Sequence, residues 1–226
     1  EHVVDTVLAF EGDNHHALRV VRAVKHRFGS TNEVGLFEMG ETGLVAVPDA
    51  SALFLADRRP GVAGSTVVPT IDGHRPLLVE VQALTLTTAL VVPRLSAQGL
   101  DSGRLAFLLA VLERHTDVPI AKHDVYALAV GGVRVVEPGA DLALALAVAS
   151  SRADMPLPAD LVSCAEVGLG GELRQVSQTP RRLAEAARLG FRRALLPQSA
   201  PDAPTGITAL RASTLRDAIT QVGLET

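Results

Sequence analysis

The polar segment Asp57-Arg58-Arg59-Pro60-Gly61 divides the chain into two parts with different patterns of secondary structure. Before it, short alternating runs follow one another at hairpin spacing, which predicts antiparallel strands. After it, strand-like runs alternate with apolar helical segments. Proline and glycine in a polar stretch are typical of a domain boundary. We therefore predict an α+β chain with residues 1–48 as one unit, 49–61 as a linker and 62–226 as a second unit.

Four short strands are predicted in the first unit, at residues 3–10, 18–27, 33–39 and 43–47. Strands this few and this short do not cover both of their faces, so we expect them to form the edge of a larger sheet. The chain also opens almost directly in a strand and starts with Glu1 rather than with methionine. We expect it to be cut from a longer protein.

The strand at residues 18–27 ends in two cations, Lys25 and Arg27. A period of two places both on the same face as the odd-numbered residues 19–23. The turn residues 29–32 then end the strand, so that the two cations lie where another molecule can reach them. The alternative interpretation is an edge strand that ends in two solvated surface charges.

The second unit is predicted to mix helices with strands. Strands are expected at residues 65–71, 76–86, 124–130, 161–169, 172–176, 193–196 and 207–210. Helices are expected at residues 102–115, 142–150, 179–189 and 213–221. Asp141 and Thr179 are the expected caps of the second and third of these helices. The first two helices are apolar nearly all round, which predicts that they are buried.

The composition limits both the core and the chemistry. Hydrophobic residues make up 47% of the chain and aromatic residues only 3%, so the core must be aliphatic. The single cysteine, Cys164, excludes an internal disulfide and a multi-cysteine zinc site within this chain. Cys164 lies in a strand-like run, which favours a buried, unreactive thiol over a nucleophile.

The formal net charge of −4 argues against a globally basic nucleic-acid binder, so any DNA contact must come from a local patch. Lysine occurs only at Lys25 and Lys122, and neither follows a glycine, so a Walker A loop is absent. The Gly-x-Ser-x-Gly and His-Glu-x-x-His motifs of hydrolases are absent too. No metal site is expected. No apolar run approaches the roughly 18 residues that span a bilayer, so we expect no membrane partner and a cytoplasmic location.

Several stretches together resemble one known family. The most specific is Lys25–Met39, which begins Lys-His-Arg-Phe-Gly. The others are residues 2–8, 75–84, 124–126, 131–132, 137–138, 168–172 and 185–191. Over essentially its whole length the chain resembles the C-terminal half of the RadA/Sms family of bacterial recombination ATPases. This resemblance implies that residues 1 to about 48 end a RecA-like ATPase core. Residues 62–226 would form a domain similar to the proteolytic domain of Lon.

The resemblance also implies roles for the strand end. Lys25 and Arg27 would be catalytic residues that act in trans on ATP held by a neighbouring subunit. His26, where the family usually has asparagine, and Phe28 would pack on the other face, and Gly29 would form the turn. ATP and Mg are the implied cofactors of the intact protein, and this chain alone is expected to bind neither. The family's P-loop and four-cysteine zinc finger have no counterpart in this sequence.

Lon cleaves peptides with a Ser-Lys dyad, in which the lysine deprotonates the serine. By resemblance, Gly139 in Glu137-Pro138-Gly139-Ala140-Asp141 stands where Lon has its serine. Pro180 stands at about the position of the lysine. Both members of the dyad are missing, so we predict that the Lon-like domain is not a protease.

The remaining roles implied for this domain are assembly and DNA contact. The resemblance implies a homohexameric ring with single-stranded, branched or duplex DNA in its channel, and RecA recombinase as a further partner. The first-rank DNA contacts follow turns or open elements, and are Arg94, Arg104, Arg134 and Arg174. Leu95 replaces a second arginine that is frequent in the family. Arg181 and Arg182 are second-rank candidates, and a solvated surface arginine is the alternative at each position.

The sequence therefore predicts part of a DNA-dependent ATPase of homologous recombination and DNA repair. That protein would process recombination intermediates by branch migration. Its Lon-like domain would be a non-proteolytic module for oligomerisation and DNA binding, and the chain alone would be inactive. The alternative is a purely structural oligomerisation scaffold without DNA contact.

Overall fold

A computed structural model describes residues 4–11, 18–31, 34–40 and 43–224. Residues 2–3 and 32–33, which belong to the stretches that carry the family resemblance, lie outside these ranges. Four strands form an antiparallel meander in the order of the chain. They are β1 (Thr6–Glu11), β2 (Leu18–His26), β3 (Val34–Gly40) and β4 (Gly43–Ala46). All four were predicted to within a few residues.

Helix α1 (Ala50–Leu55) follows this meander and lies within the predicted linker. The Asp49 carboxylate caps it by accepting a hydrogen bond from the Ala52 N–H at 2.9 Å. Ala50 and Phe54 are buried in the main hydrophobic core together with Leu36 of β3. Residues 49–55 have the sequence of a short helix, and the structure confirms that prediction.

A seven-stranded sheet forms the body of the chain. Its strands are β5 (Ser65–Asp72), β6 (Arg75–Thr87), β7 (Leu95–Gln98), β8 (His123–Ala129), β9 (Leu161–Ser163), β12 (Arg193–Pro197) and β13 (Thr208–Ala212). The order is β13-β12-β9-β5-β6-β8-β7, in which only β6 runs antiparallel to its neighbours. Two short strands, β10 (Glu166–Val167) and β11 (Leu173–Arg174), pair separately. The fold is mixed α and β, with a mostly parallel main sheet.

Helices cover both faces of this sheet. On one face, α2 (Ser102–His115), α3 (Asp141–Ala153) and α5 (Leu215–Gln221) pack into the larger core. On the other face, α4 (Thr179–Arg188) packs through Leu183 and Ala186 into a smaller core. Every residue of α3 from 141 to 150 is buried, as its apolar sequence predicted. In α2 only one side is buried, and Ala106 and Ala110 are exposed.

Three predictions about the second unit are wrong in detail. The strand expected at residues 161–169 is split, because its two parts belong to different sheets. Strand β7 was not predicted. The two expected caps are also wrong, because Asp141 is the first residue of α3 and Gln178, at a positive φ of 58°, precedes α4. The Thr179 hydroxyl instead donates a hydrogen bond back to the Val176 carbonyl at 2.9 Å.

Candidate functional site

A β-bulge lies just before the two cations at the end of β2. The register pairs Leu8 with Ala23 but Val7 with Lys25, so Val24 is an extra residue in β2. Opposite residues of an antiparallel pair share a face, so Lys25 lies on the face opposite to that of Ala23. The prediction that Lys25 shares a face with residues 19–23 is therefore wrong, because the bulge interrupts the period of two.

Lys25 and Arg27 nevertheless contact neighbouring residues, Val4 and Asp5, which directly precede β1. The Lys25 ammonium donates a hydrogen bond to the Val4 carbonyl at 2.9 Å. The Arg27 guanidinium pairs with the Asp5 carboxylate at 3.1 Å, and the Arg27 backbone N–H donates to the Asp5 carbonyl at 2.9 Å. The two cations thus lie close together at the strand end.

Arg27 is accessible, because 69% of its side chain is exposed. Exposed ion pairs contribute about 0–1 kcal/mol, so exchanging Asp5 for another anion costs little. The guanidinium carbon also lies 5.6 Å from the centre of the Phe28 ring. The geometry is that of a cation held loosely near its surface partners and able to bind a phosphate.

The neighbouring residues His26, Phe28 and Gly29 have different environments. The His26 ring lies 3.0 Å from the Thr6 hydroxyl through Nδ1. A Cβ on Gly29 would lie 2.5 Å from the His26 ring, so a larger residue there would displace the imidazole. Phe28 is largely exposed, and the prediction that it packs against the fold is wrong for the described part of the chain.

Arg94 and Arg134, two of the four predicted DNA contacts, have exposed side chains that no carboxylate pairs with in the described ranges. In the described ranges neither side chain forms a hydrogen bond or an ion pair. Arg94 directly precedes β7, and Val135, next to Arg134, donates its N–H to the Gly99 carbonyl just after β7. The two arginines therefore lie near opposite ends of this edge strand, along which Arg94 and Gly99 are about 17 Å apart at the usual rise per residue.

The other two predicted contacts are engaged within the fold. Arg104 donates from Nε to the Asp141 carboxylate at 2.8 Å and from Nη2 to the Val167 carbonyl at 3.0 Å. Asp141 is buried, and burial raises the pKa of its carboxyl although the Arg104 N–H groups oppose this shift. Arg174 lies on the surface and pairs with the Glu172 carboxylate at 2.5 Å.

A buried ion pair lies beside Gly139, where the Lon resemblance places a serine. Arg182 is 1% exposed and binds Glu137 through two N–H groups at 2.5 and 2.6 Å. A Cβ on Gly139 would lie 3.5 Å from both the Arg182 guanidinium and the Cys164 sulfur. Both interpretations of Arg182, as a second-rank DNA contact and as a solvated surface arginine, require an exposed side chain and are therefore wrong. The sequence did indicate that Arg182 is buried, because Arg182 precedes Ala186 by four residues and so lies on the apolar stripe of α4.

Further hydrogen bonds hold this pair in place. Arg182 also donates to the Ser177 carbonyl at 2.9 Å and to the Pro69 carbonyl at 2.8 Å. Burial raises the pKa of Glu137, but hydrogen bonds from Arg182 and Thr70 outweigh it and keep that pKa below its ordinary value. The pKa of Cys164 is raised to about 12 by burial. The thiol is therefore protonated and buried, as the sequence predicted.

Residues 4–11, 18–31, 34–40 and 43–224 contain neither a metal-binding cluster nor a membrane-spanning helix. No three His, Cys, Asp or Glu side chains in those ranges come together as a metal site would require. Among the helices described, none has the length and apolar character needed to cross a bilayer.

Relatives of known name match almost the whole chain. It is 50% identical to DNA repair protein RadA of Mycobacterium tuberculosis over 215 residues, which is 95% of this chain and 45% of that protein. It is 49% identical to RadA of Pseudomonas aeruginosa and 46% identical to RadA of Bacillus subtilis, in each case over 97% of this chain. The chain is a RadA relative. No family model matches it.

The chain spans about half the length of the curated RadA proteins it matches. That coverage is consistent with the expectation of a C-terminal portion of RadA. Each of these relatives is named as a DNA repair protein.

Proposed function

We propose that the chain is part of a DNA-dependent ATPase of homologous recombination that processes DNA intermediates by branch migration. The observation that carries this proposal is the pair of accessible cations at the end of β2, in a chain related to a DNA repair protein over 95% of its length. The first four strands would be the end of a RecA-like ATPase core. Residues 62–226 would be a Lon-like domain.

Lys25 and Arg27 would act on ATP bound by a neighbouring subunit. Their cationic groups suit the terminal phosphate, because both are at a strand end and Arg27 is held only by a surface ion pair. Bound ATP with Mg would supply the phosphoryl group that is transferred. Arg27 would donate N–H groups to the phosphate oxygens and stabilise the charge that develops in the transition state. Such an arginine is worth about 10³–10⁵ in rate.

The Lon-like domain would not cleave peptides. Gly139 offers no hydroxyl, and its neighbour Arg182 is a guanidinium that remains protonated and cannot serve as the base. The Cys164 thiol is equally unsuitable, because it is buried and its pKa is raised to about 12. Assembly and DNA contact would be the roles of this domain.

DNA contact would come mainly from Arg94 and Arg134. Their side chains are exposed and form no ion pair in the described ranges, although the Asp124 carboxylate accepts a hydrogen bond from the Arg94 backbone N–H at 2.8 Å. The length of about 17 Å between Arg94 and Gly99 corresponds to about five base pairs of rise along the axis of a DNA duplex. Arg174 would contribute if phosphate replaced Glu172, because an exposed ion pair is weak. Arg104 is the least suited of the four, since Asp141 already neutralises it.

We also propose a homohexameric ring with DNA in its channel, RecA recombinase as a further partner and a cytoplasmic location. The alternative is a structural scaffold that only oligomerises. It is favoured by the ion pairs that engage Arg104 and Arg174.

Titration of this chain with duplex and single-stranded DNA at increasing salt separates the two proposals. DNA contact predicts a steep loss of affinity with salt, since each phosphate contact contributes about −0.9 to the slope of log K against log salt. A stable oligomer without any salt-dependent binding would support the scaffold instead.

A further inference from the structure

The outer edge of strand β7 carries backbone groups that point away from the sheet. β7 is the last strand of the main sheet and, among the described strands, pairs only with β8, in parallel. The Val125 N–H of β8 donates to the Arg94 carbonyl at 2.9 Å. Successive residues of a strand direct their backbone groups to opposite sides, so Ser96 also faces β8. The N–H and C=O groups of Leu95 and Ala97 therefore face outward.

These outward groups have no partner in the part of the chain that the structure describes. No hydrogen bond there reaches the N–H or C=O groups of Leu95 and Ala97. The edge closes only beyond β7, where the Val135 N–H donates to the Gly99 carbonyl at 2.7 Å. An open edge of this kind is a template on which another extended chain can pair.

The opposite edge of the same sheet is protected. In β13 the Thr208 N–H donates towards β12, to the Arg192 carbonyl at 2.7 Å, so the backbone groups of Arg211 point outward. The Gln221 side chain of α5 covers this edge by donating to the Arg211 carbonyl at 2.6 Å. The unpaired edge is therefore a local property of β7 and not a general property of the sheet.

The two faces of β7 differ in polarity. Ser96 and Gln98 line a groove on one face, and by the same alternation the exposed Arg94 lies on that side. Leu95 and Ala97 lie on the other face, where Ala97 packs against the main core and Leu95 is 45% exposed. A strand added to this edge meets polar side chains on one face and apolar ones on the other. Alternating polar and apolar residues suit both.

The charged side chains around this edge include three exposed cations. Arg94, Lys122 and Arg134 form no ion pair within the described ranges. Two carboxylates lie nearby, and each accepts a backbone N–H: Asp124 from Arg94 at 2.8 Å, and Asp101 at the start of α2. The surroundings of β7 are therefore slightly positive, although the whole chain has a formal net charge of −4.

Two further charges beside Lys122 cancel each other. The Glu113 carboxylate accepts a hydrogen bond from the Ile120 N–H at 2.6 Å, and the Arg152 guanidinium donates to the Pro119 carbonyl at 3.0 Å. They leave the excess of cations unchanged, which favours an acidic occupant over a basic one.

We propose that β7 binds an extended segment of a partner protein as an additional strand of the main sheet, with acidic residues alternating with apolar ones. Main-chain hydrogen bonds to Leu95 and Ala97 would provide affinity, and the alternating side chains would provide specificity. DNA offers no row of amide donors and carbonyl acceptors to match the edge. A second copy of this chain would bring two positive patches together, so a separate acidic chain fits better.

A fluorescent peptide of about ten residues, in which aspartate and valine alternate, is the probe. Fluorescence anisotropy should show saturable binding to the unmodified chain. The same peptide with lysine in place of aspartate should bind about tenfold more weakly. Absence of saturable binding at about 1 mM of the aspartate peptide would overturn the proposal.

Two N-methylated versions of the aspartate peptide test the backbone contact itself. One is methylated at its odd positions and the other at its even positions. Only one edge of an added strand faces β7, so one version should fail to bind while the other binds like the parent peptide. Equal affinities of the two versions would overturn strand addition.

Leu95→Pro tests the edge from the protein side. It removes one outward N–H and leaves the groups that face β8 in place, and an edge strand tolerates proline where its N–H faces solvent. Peptide affinity should fall by about tenfold. Leu95→Ala is the matched control, because it keeps the N–H, and it should bind within about threefold of the unmodified chain. Full peptide affinity in Leu95→Pro would contradict the proposal. If this variant unfolds, the methylated peptides still decide.

Light scattering and DNA titration test the other possible occupants. Leu95→Pro should leave both the mass of the chain and its salt-dependent DNA binding unchanged, because it removes no cation. A dimer that becomes monomeric in this variant would assign the edge to a second copy, and a loss of DNA binding would assign it to DNA. Peptide binding without DNA binding would count against the proposed function alone. DNA binding without peptide binding would count against the added strand alone.

Discussion

Arg182 and Glu137 form a two-point ion pair, with distances of 2.5 and 2.6 Å, directly beside Gly139. The pair fills the space next to the position that the Lon resemblance assigns to a catalytic serine. The pair joins α4 to the turn before α3. The Glu137 carboxylate also accepts hydrogen bonds from the Thr70 hydroxyl and the Ile71 N–H, which tie the same turn to β5. One interaction thus links three parts of the fold and lies directly beside the position that the resemblance assigns to the serine.

The first prediction concerns the stability provided by this pair. Glu137→Ala leaves the Arg182 guanidinium buried without its partner, which should lower the free energy of unfolding by about 3–5 kcal/mol. Arg181→Ala is the matched control, because Arg181 is exposed and its side chain bonds only to Gln178 among the described residues; it should cost no more than about 0.5 kcal/mol. Urea unfolding measures both. A loss below about 1 kcal/mol for Glu137→Ala would contradict the structural role.

The second prediction concerns the loss of folding stability at low pH. The pKa of Glu137 in the folded chain lies below its unfolded value of about 4.3. The contribution of Glu137 to the free energy of unfolding is therefore complete above the unfolded pKa. It disappears as the pH falls through the folded pKa. The unmodified chain should lose stability below about pH 4, and Glu137→Gln should show a shallower decline. Asp49, Asp160 and Glu185 also have lowered pKa values, so part of the decline should persist. If stability fell with pH at the same rate in both proteins, the ionisation of Glu137 would not contribute to the stability of the fold.

The third prediction concerns peptidase activity. Gly139→Ser should fold, because a Cβ there meets its neighbours at an ordinary distance of 3.5 Å. It should not cleave casein, because Arg182 remains protonated and no lysine is nearby. The assay compares this variant with the unmodified chain. Casein cleavage that persists through repeated purification would contradict the prediction that this domain has no catalytic dyad.

The fourth prediction separates DNA contact from stability. Arg94→Ala and Arg134→Ala should each weaken DNA binding and reduce the salt slope by about 1, with unchanged stability. Arg114→Ala, which removes an exposed arginine of α2, is the control and should change neither. Arg104→Ala should instead cost at least about 2 kcal/mol, because it leaves the buried Asp141 carboxylate underbonded. Unaltered salt slopes in the first two variants would contradict their assignment.

Much of the fold follows from local sequence patterns. The helix over Ser102–His115 was predicted to the residue, and the hairpin over β5 and β6 follows from its Asp72-Gly73 turn. The strand at 161–169 failed because its apolar run is continuous in sequence, whereas the chain changes sheets within it. Strand β7 was missed because four residues are too few to establish a period.

The site was less predictable, because it depends on contacts between distant residues. Local patterns place Lys25 and Arg27 at a strand end, but a bulge at Val24 is set by pairing with β1 and has no signal within β2 itself. Asp141 was taken for a cap because it opens a helix, whereas its carboxylate pairs with Arg104, 37 residues away. A turn signal shows that an arginine can be exposed, but it does not show which carboxylate is near.

The most direct test of the proposed function is ATP hydrolysis by a full-length protein that contains this chain, measured with and without DNA. Arg27→Ala should abolish DNA-stimulated hydrolysis, a loss of about 10³–10⁵ in rate, while ATP binding remains largely intact. Arg19→Ala is the matched control, since the bulge at Val24 places it on the opposite face of the same strand. The account predicts near-normal turnover for the control and none for Arg27→Ala. Normal DNA-stimulated turnover in Arg27→Ala would contradict it.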